Sequence, residues 1–307
     1  RTLARQALRN SPIAADALLF LALDARRTGH EARFDTLLTL AGMAGWHDEV
    51  AQRQLFNAAV RQRNAPAAMR HADALLRQGR AIPELFAQFD RGLENPDFRA
   101  AARPYFATEQ AWPVTYLAGR GGKLGDEALD DLLAARIARR GALERDIAAP
   151  LLGALVHGGR DIAAARIWGL TAGSDGRGAG PLPWPGAGTA QPASPFDWRL
   201  GDAYGAGGED GPALAAIAPG APAITRLLAL PPGRYRLKSD SDAEYLRGWN
   251  WAFSCGAREL VPTAPLAADA GFEVAQGCAV QRLSLAPRAE EAQGGAELAP
   301  LRLERLP

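Results

Sequence analysis

Residues 172–186 read Ala172-Gly-Ser-Asp-Gly-Arg-Gly-Ala-Gly-Pro-Leu-Pro-Trp-Pro-Gly186. No helix continues through a stretch so dense in glycine and proline. Glycine leaves the backbone unrestrained, and proline removes a donor and clashes with the preceding turn. Before this stretch, apolar residues recur every three or four positions; after it they recur every second one. The stretch therefore separates two modules: a helical domain expected over residues 1–171 and a strand-built domain expected over 196–307, with a Gly/Pro-rich connection over 172–195. Leu182 and Trp184 within the connection predict that part of it packs on a neighbour.

In the N-terminal module Ser11-Pro12 reads as an N-cap followed by proline at the first helical position. Leu18, Leu19, Ala22, Leu23 and Ala25 then recur at helical spacing up to Thr28-Gly29. A second helix over 31–45 carries Phe34, Leu37, Leu38 and Leu40, and another pair is predicted over 47–63 and 65–78. The two hairpins align at a period of 35: Phe20-Leu21 falls on Leu55-Phe56, Ala25 on Val60, Gly29 on Asn64 and Phe34 on Met69. Gly29 and Asn64 both tolerate the left-handed turn that joins two helices. Further helices are expected over 83–93, 97–107 and 126–139, and Val156-His157-Gly158-Gly159 repeats the turn late in the module.

A period near 34 with a small residue early in the second helix resembles the tetratricopeptide repeat, although most of that repeat's usual Trp, Tyr and Pro positions are not matched. The resemblance implies an α-helical solenoid whose groove binds other proteins.

In the C-terminal module Phe196-Asp197-Trp198-Arg199-Leu200 alternates apolar and polar. Ile224 to Leu230 and Tyr235-Arg236-Leu237 flank Pro231-Pro232-Gly233, a strand–turn–strand signature. Further strands are expected over 246–255, 272–274, 280–285 and 298–306. Short strands at close intervals predict a β-sandwich. The segments Leu-Pro-Pro-Gly-Arg-Tyr-Arg-Leu at 230–237, Trp-Asn-Trp-Ala-Phe-Ser-Cys at 249–255 and Gly-Cys-Ala-Val-Gln-Arg-Leu-Ser-Leu at 277–285 look like a galactose-binding-like jelly roll, the fold of many carbohydrate-binding modules. With the helical repeats in front, the chain resembles repeat-plus-sandwich proteins associated with exopolysaccharide in alphaproteobacteria. That resemblance implies a fold and a setting, and assigns no site.

The net charge is +1, from 35 basic and 34 acidic residues. Such a balance excludes bulk electrostatic attraction, so nucleic acid is not an expected partner. No apolar run approaches the roughly 20 residues that span a bilayer, and any leader or anchor linking the protein to a membrane would precede Arg1. Cys255 and Cys278 are the sole cysteines. An even pair in a strand-rich segment predicts one disulfide, and with it an oxidising, periplasmic or envelope-associated compartment.

The four histidines, His30, His47, His71 and His157, all lie in the helical half at turns or on helix faces. They read as solvated or capping residues, and none has the spacing of a metal site. There is no G-x-S-x-G elbow, and the glycines at 176–188 follow no strand and precede no helix, so they form no phosphate-cradling loop. Asp126, Glu127, Asp130 and Asp131 sit at a helix start, where acids complement the dipole. Asp240 and Asp242, in Ser-Asp-Ser-Asp, have the character of turn acids or calcium ligands. No cofactor is otherwise expected, and no residue is assigned a catalytic role.

Two constellations remain. Trp249, Trp251 and Phe253 share one strand face with Arg247 and Cys255. That face reads either as sandwich core or as a sugar-stacking platform, with Trp249 the residue nearest the surface. Arg234, Arg236 and Lys238 share another face and could meet an anionic polymer such as one carrying uronic acids. The expected function is non-catalytic support of polysaccharide assembly or export, with envelope proteins docking on the helical groove and an acidic polysaccharide as a further partner. The alternatives are a pure protein–protein adaptor and a glycan-active lyase or hydrolase. A lyase would call on Tyr105 or Tyr116, neither of which has a convincing histidine partner.

Overall fold

The structure, a computed structural model, describes residues 1–79, 83–171, 180–182, 194–200, 204–205, 213–214, 224–239, 246, 248–256, 258–266, 269–288 and 301–307. Helices dominate residues 2–168 and antiparallel sheets occupy 224–305. Contacts divide the chain into two compact units, Arg1–Gly141 and Ala142–Pro307.

The first unit contains α1 (Thr2–Asn10), α2 (Ala15–Arg27), α3 (Glu31–Ala44), α4 (Glu49–Arg61), α5 (Ala65–Leu76), α6 (Pro83–Leu93), α7 (Pro96–Phe106), α8 (Ala111–Arg120) and α9 (Asp126–Arg140). Three starts are capped as their sequences dictate. Asp48 accepts from the Ala51 amide at 2.8 Å, Asn64 from the Ala67 amide at 3.1 Å, and Asn95 from the amides of Asp97 and Phe98. The start expected at Ser11-Pro12 is displaced: Ser11 ends α1, and α2 begins at Ala15 without a side-chain cap.

The hairpins repeat at 34 residues rather than 35. α2 and α4 begin 34 apart, as do α3 and α5. Gly29 takes the left-handed conformation (φ 75°), and its counterpart is Arg63 (φ 55°), not Asn64. The residue after each donates its amide five positions back, His30 to Ala25 O and Asn64 to Ala59 O, both at 2.9 Å. The alignment at 35 runs through Phe20, which is exposed. A shift of 34 instead superposes buried positions, Ala22 on Phe56 and Ala25 on Ala59. Asn64 is needed one step later, as the N-cap of α5.

Farther along, Phe89 is the hub of an aromatic core, edge-on to Phe98, Trp112 and Tyr116 with ring centres 5.1–6.0 Å away. Beside it lies Arg99, which is buried and donates to Leu93 O, Glu94 O, Glu127 and Asp131. Glu127 and Asp131 are therefore partners of a buried cation in addition to acids at a helix start.

The second unit opens with the hairpin α10 (Arg145–His157) and α11 (Asp161–Trp168), whose turn carries Gly159 at φ 71° and an Arg160 amide donating to Leu155 O. Eleven strands follow among the described residues: β1 (Gly180–Leu182), β2 (Arg199–Leu200), β3 (Tyr204–Gly205), β4 (Ala213–Leu214), β5 (Ile224–Leu228), β6 (Gly233–Ser239), β7 (Trp249–Cys255), β8 (Arg258–Pro265), β9 (Asp269–Val274), β10 (Gln281–Pro287) and β11 (Leu301–Arg305). They form a four-stranded sheet in the order β1-β11-β6-β9, a five-stranded sheet in the order β2-β5-β10-β7-β8, and the pair β3-β4. Every pairing is antiparallel.

The two larger sheets share one core. Tyr235, Leu237, Phe272, Leu301 and Leu303 come from the first, and Ile224, Leu228, Trp249, Trp251, Phe253, Leu283 and Leu285 from the second. The α10–α11 hairpin belongs to this unit. Trp168 stacks on Phe196 with ring centres 5.1 Å apart, and Arg145 pairs with Asp197 at 2.8 Å. Cys255, at the end of β7, is disulfide-bonded to Cys278, just before β10. The buried Gln281 fixes that corner: its amide nitrogen donates to Cys278 O at 2.6 Å and to Leu230 O at 3.3 Å, while its oxygen accepts from the Leu230 amide at 2.8 Å.

Candidate functional site

A concavity lies in the first unit, between α3, α4 and α5. It holds about 600 Å³, and its lining includes Met43, Trp46, Leu55, Gln62, Arg70 and His71. Local sequence explains its openness. Gly42 has no side chain, and a Cβ there would collide with the Leu55 side chain, so α3 and α4 come close at that level. Met43, the next residue, lies off the buried stripe of α3, and Trp46 follows the end of that helix; they remain 77% and 43% exposed. Two large apolar side chains thus stand in water at the mouth of a groove, flanked by Asp35, Gln62 and Arg70.

The floor of the groove is a polar relay. Gln52 is fully buried and donates from Nε2 to Gly42 O at 3.1 Å. Its Oε1 lies 2.7 Å from His71 Nδ1, so Nδ1 must carry the proton and Nε2 is left as an acceptor. Burial, seconded by the charge of Arg70, holds the His71 pKa below the usual imidazole range. His71 is therefore neutral at pH 7 and built into the groove, which corrects its reading as a solvated or capping residue. The histidine gave no signal of this because its partner is 19 residues away on another helix.

Two tyrosines of the same unit are also perturbed. Burial and the hydrogen bond to Asp90 push Tyr116 far above the ordinary phenol range, and Arg120 pairs with the same carboxylate. Burial raises Tyr105 as well. Both hold their protons at neutral pH. Among the described residues no three His, Cys, Asp or Glu side chains gather as a metal site would require.

In the second unit the aromatic face of β7 lies inward. Trp249 is 1% exposed, Trp251 and Phe253 are buried with it, and Phe253 meets Phe272 with ring centres 4.0 Å apart. The expectation that Trp249 reaches the surface is corrected: it faces the opposing sheet, so its apolar ring completes the core. Arg247 falls outside the described residues, as do Trp184, Asp240 and Asp242.

Arg234, Arg236 and Lys238 do share the outward face of β6, but acids share it too. Lys238 pairs with Glu304 at 2.9 Å, Glu304 stands opposite Arg236 in the β11 register, and the exposed Glu273 stands opposite Arg234 in β9. That face is largely charge-compensated. Among the described residues no helix is long and apolar enough to cross a membrane. No protein-family model matches the chain, and no curated protein matches it.

Proposed function

We propose that the chain is a non-catalytic binding and scaffold protein of the cell envelope, a tetratricopeptide-like solenoid followed by a galactose-binding-like jelly roll. It supports the assembly or export of a polysaccharide through contacts with envelope proteins and with glycan. The groove between α3, α4 and α5 carries this reading. Exposed Met43 and Trp46 are apolar anchors, and Asp35, Gln62, Arg70 and the neutral His71 supply the few polar groups that orient an extended peptide. The disulfide supports an extracytoplasmic setting, because such bonds persist in oxidising compartments.

The test is polymer output from cells whose native copy carries Met43→Glu and Trp46→Ala, with protein abundance followed in parallel. Less polymer at unchanged protein abundance is the expected result, and full output would remove the groove from the function. A second reading, a protein–protein adaptor whose jelly roll is structural, is favoured by the burial of Trp249, Trp251 and Phe253. A glycan array separates the two, since the adaptor binds no glycan. Assaying the same glycans for new reducing ends or unsaturated products tests for lyase or hydrolase activity.

A further inference from the structure

On the five-stranded sheet, chain alternation sorts the side chains into two sets. Ile224, Leu228, Leu283 and Leu285 enter the core, so their neighbours Thr225, Leu227, Arg282 and Ser284 face the other way. Arg199 on β2 stands opposite Thr225, and Arg282 on β10 stands opposite Leu227. Val156 of α10 and Pro195 close the remaining sides of a notch of about 70 Å³ lined by these residues. That is room for several waters or for one small oxyanion.

The charge at this notch is uncompensated. Arg199 and Arg282 are both exposed, and neither forms an ion pair with a carboxylate among the described residues. Arg226 also borders the notch. Its guanidinium lies over the Trp198 ring, 5.7 Å from the centroid, and its buried Nε has no hydrogen-bond partner among the described residues. The acid acting on Arg226 is Asp197, which is already bonded to Arg145 at 2.8 Å. The end of α10 does not compete for the guanidiniums either: Ala154 O, Leu155 O and Val156 O accept from the amides of Gly158, Arg160 and Gly159. On the other sheet, by contrast, the cations of β6 already face Glu304 and Glu273.

We propose that Arg199 and Arg282 form a binding site for a single carboxylate, that of a uronic acid residue in an acidic polysaccharide. The naming of the polymer rests on the function proposed above, whereas the oxyanion notch rests on this geometry alone. A planar guanidinium matches a carboxylate through two parallel hydrogen bonds, and the 70 Å³ notch admits one such group at a time.

Titration of the whole protein with oligogalacturonate, and separately with inorganic phosphate, tests the site. Binding is read by calorimetry and by the arginine Nε–Hε resonances. Arg199→Gln with Arg282→Gln should weaken oligogalacturonate binding by about tenfold or more, since two charge-assisted hydrogen-bond donors are lost. Arg234→Gln with Arg236→Gln should leave it within about twofold. Arg199, Arg282 and Arg234 are exposed and Arg236 is half-buried, and circular dichroism checks that both double variants fold. If oligogalacturonate bound the Arg199/Arg282 variant as tightly as the wild type, or lost affinity in the Arg234/Arg236 variant alone, the notch would be overturned while the polysaccharide reading survived. Phosphate binding that needs Arg199 and Arg282, with no response to oligogalacturonate, would overturn the uronate assignment and leave an oxyanion notch. A wild-type protein that bound neither probe would overturn the site altogether.

Discussion

His71 Nδ1 lies 2.7 Å from Gln52 Oε1, and Gln52 in turn donates to Gly42 O, so a neutral imidazole on α5 is tied through α4 to the backbone of α3. This tie is sensitive to acid. Because burial depresses the folded-state pKa below the ordinary imidazole value of about 6.5, the unfolded chain binds the proton first as pH falls. The stability that His71 contributes is complete above about pH 6.5 and is lost as the pH drops from there toward the folded-state pKa. Thermal melts of the wild type and of His71→Gln should therefore run parallel above neutrality. Below about pH 6.5 the wild type should lose more melting temperature than the variant. Parallel curves throughout would mean that the imidazole is not held neutral.

Arg99 predicts an asymmetry between the two ends of an ion pair. The arginine is buried, and its guanidinium also satisfies Leu93 O and Glu94 O, whereas Glu127 is 81% exposed. Arg99→Ala should cost roughly 2–4 kcal/mol, from lost packing and two carbonyls left without their donor. Glu127→Ala should cost less than about 1 kcal/mol, because water solvates what remains. Urea denaturation of both variants measures the difference.

Trp249 should behave as a core residue. It is almost completely buried between two sheets, so Trp249→Ala should destabilise the second unit by about 3–5 kcal/mol. Trp249→Phe should cost less. Chemical denaturation followed by fluorescence checks both, and unchanged stability together with lost glycan binding would instead make the ring a ligand platform.

Reduction of Cys255–Cys278 should act on one unit. The bond joins residues 23 apart in sequence, and closing such a loop contributes roughly 3 kcal/mol in the chain-entropy model. Adding reductant should lower the melting temperature followed by near-ultraviolet signal from the second unit and leave the helical signal of the first almost unchanged. Thiol titration of the unfolded, unreduced protein should find no free sulfhydryl.

Much of the architecture was legible in the chain itself. Secondary structure follows from local periodicity, so the change from a spacing of three or four to a spacing of two across 172–195 announced helices before it and strands after it. The helical hairpins, the turn at Gly159 and the Cys255–Cys278 bond were readable for the same reason: each depends on nearby residues or on the pairing of two unique ones.

What the sequence left open depends on which faces meet. The alternation of Trp249, Trp251 and Phe253 places them together on one face, but only the opposing Phe272 and Leu237 make that face a core. The repeat of 34 was masked by a chance match at 35, because Arg63 bears the left-handed turn that glycine or asparagine would have signalled. The side-chain partners of His71, Arg99 and Lys238 lie 19 to 66 residues away in the chain, on other elements. Likewise Arg199 and Arg282 are 83 positions apart, and register across three strands brings both to one notch. The sequence determined the elements, since those answer to hydrogen bonding and propensity along the chain. The tertiary structure decided which charges are compensated, which rings are dry and where a groove stays open, since those answer to distances across it.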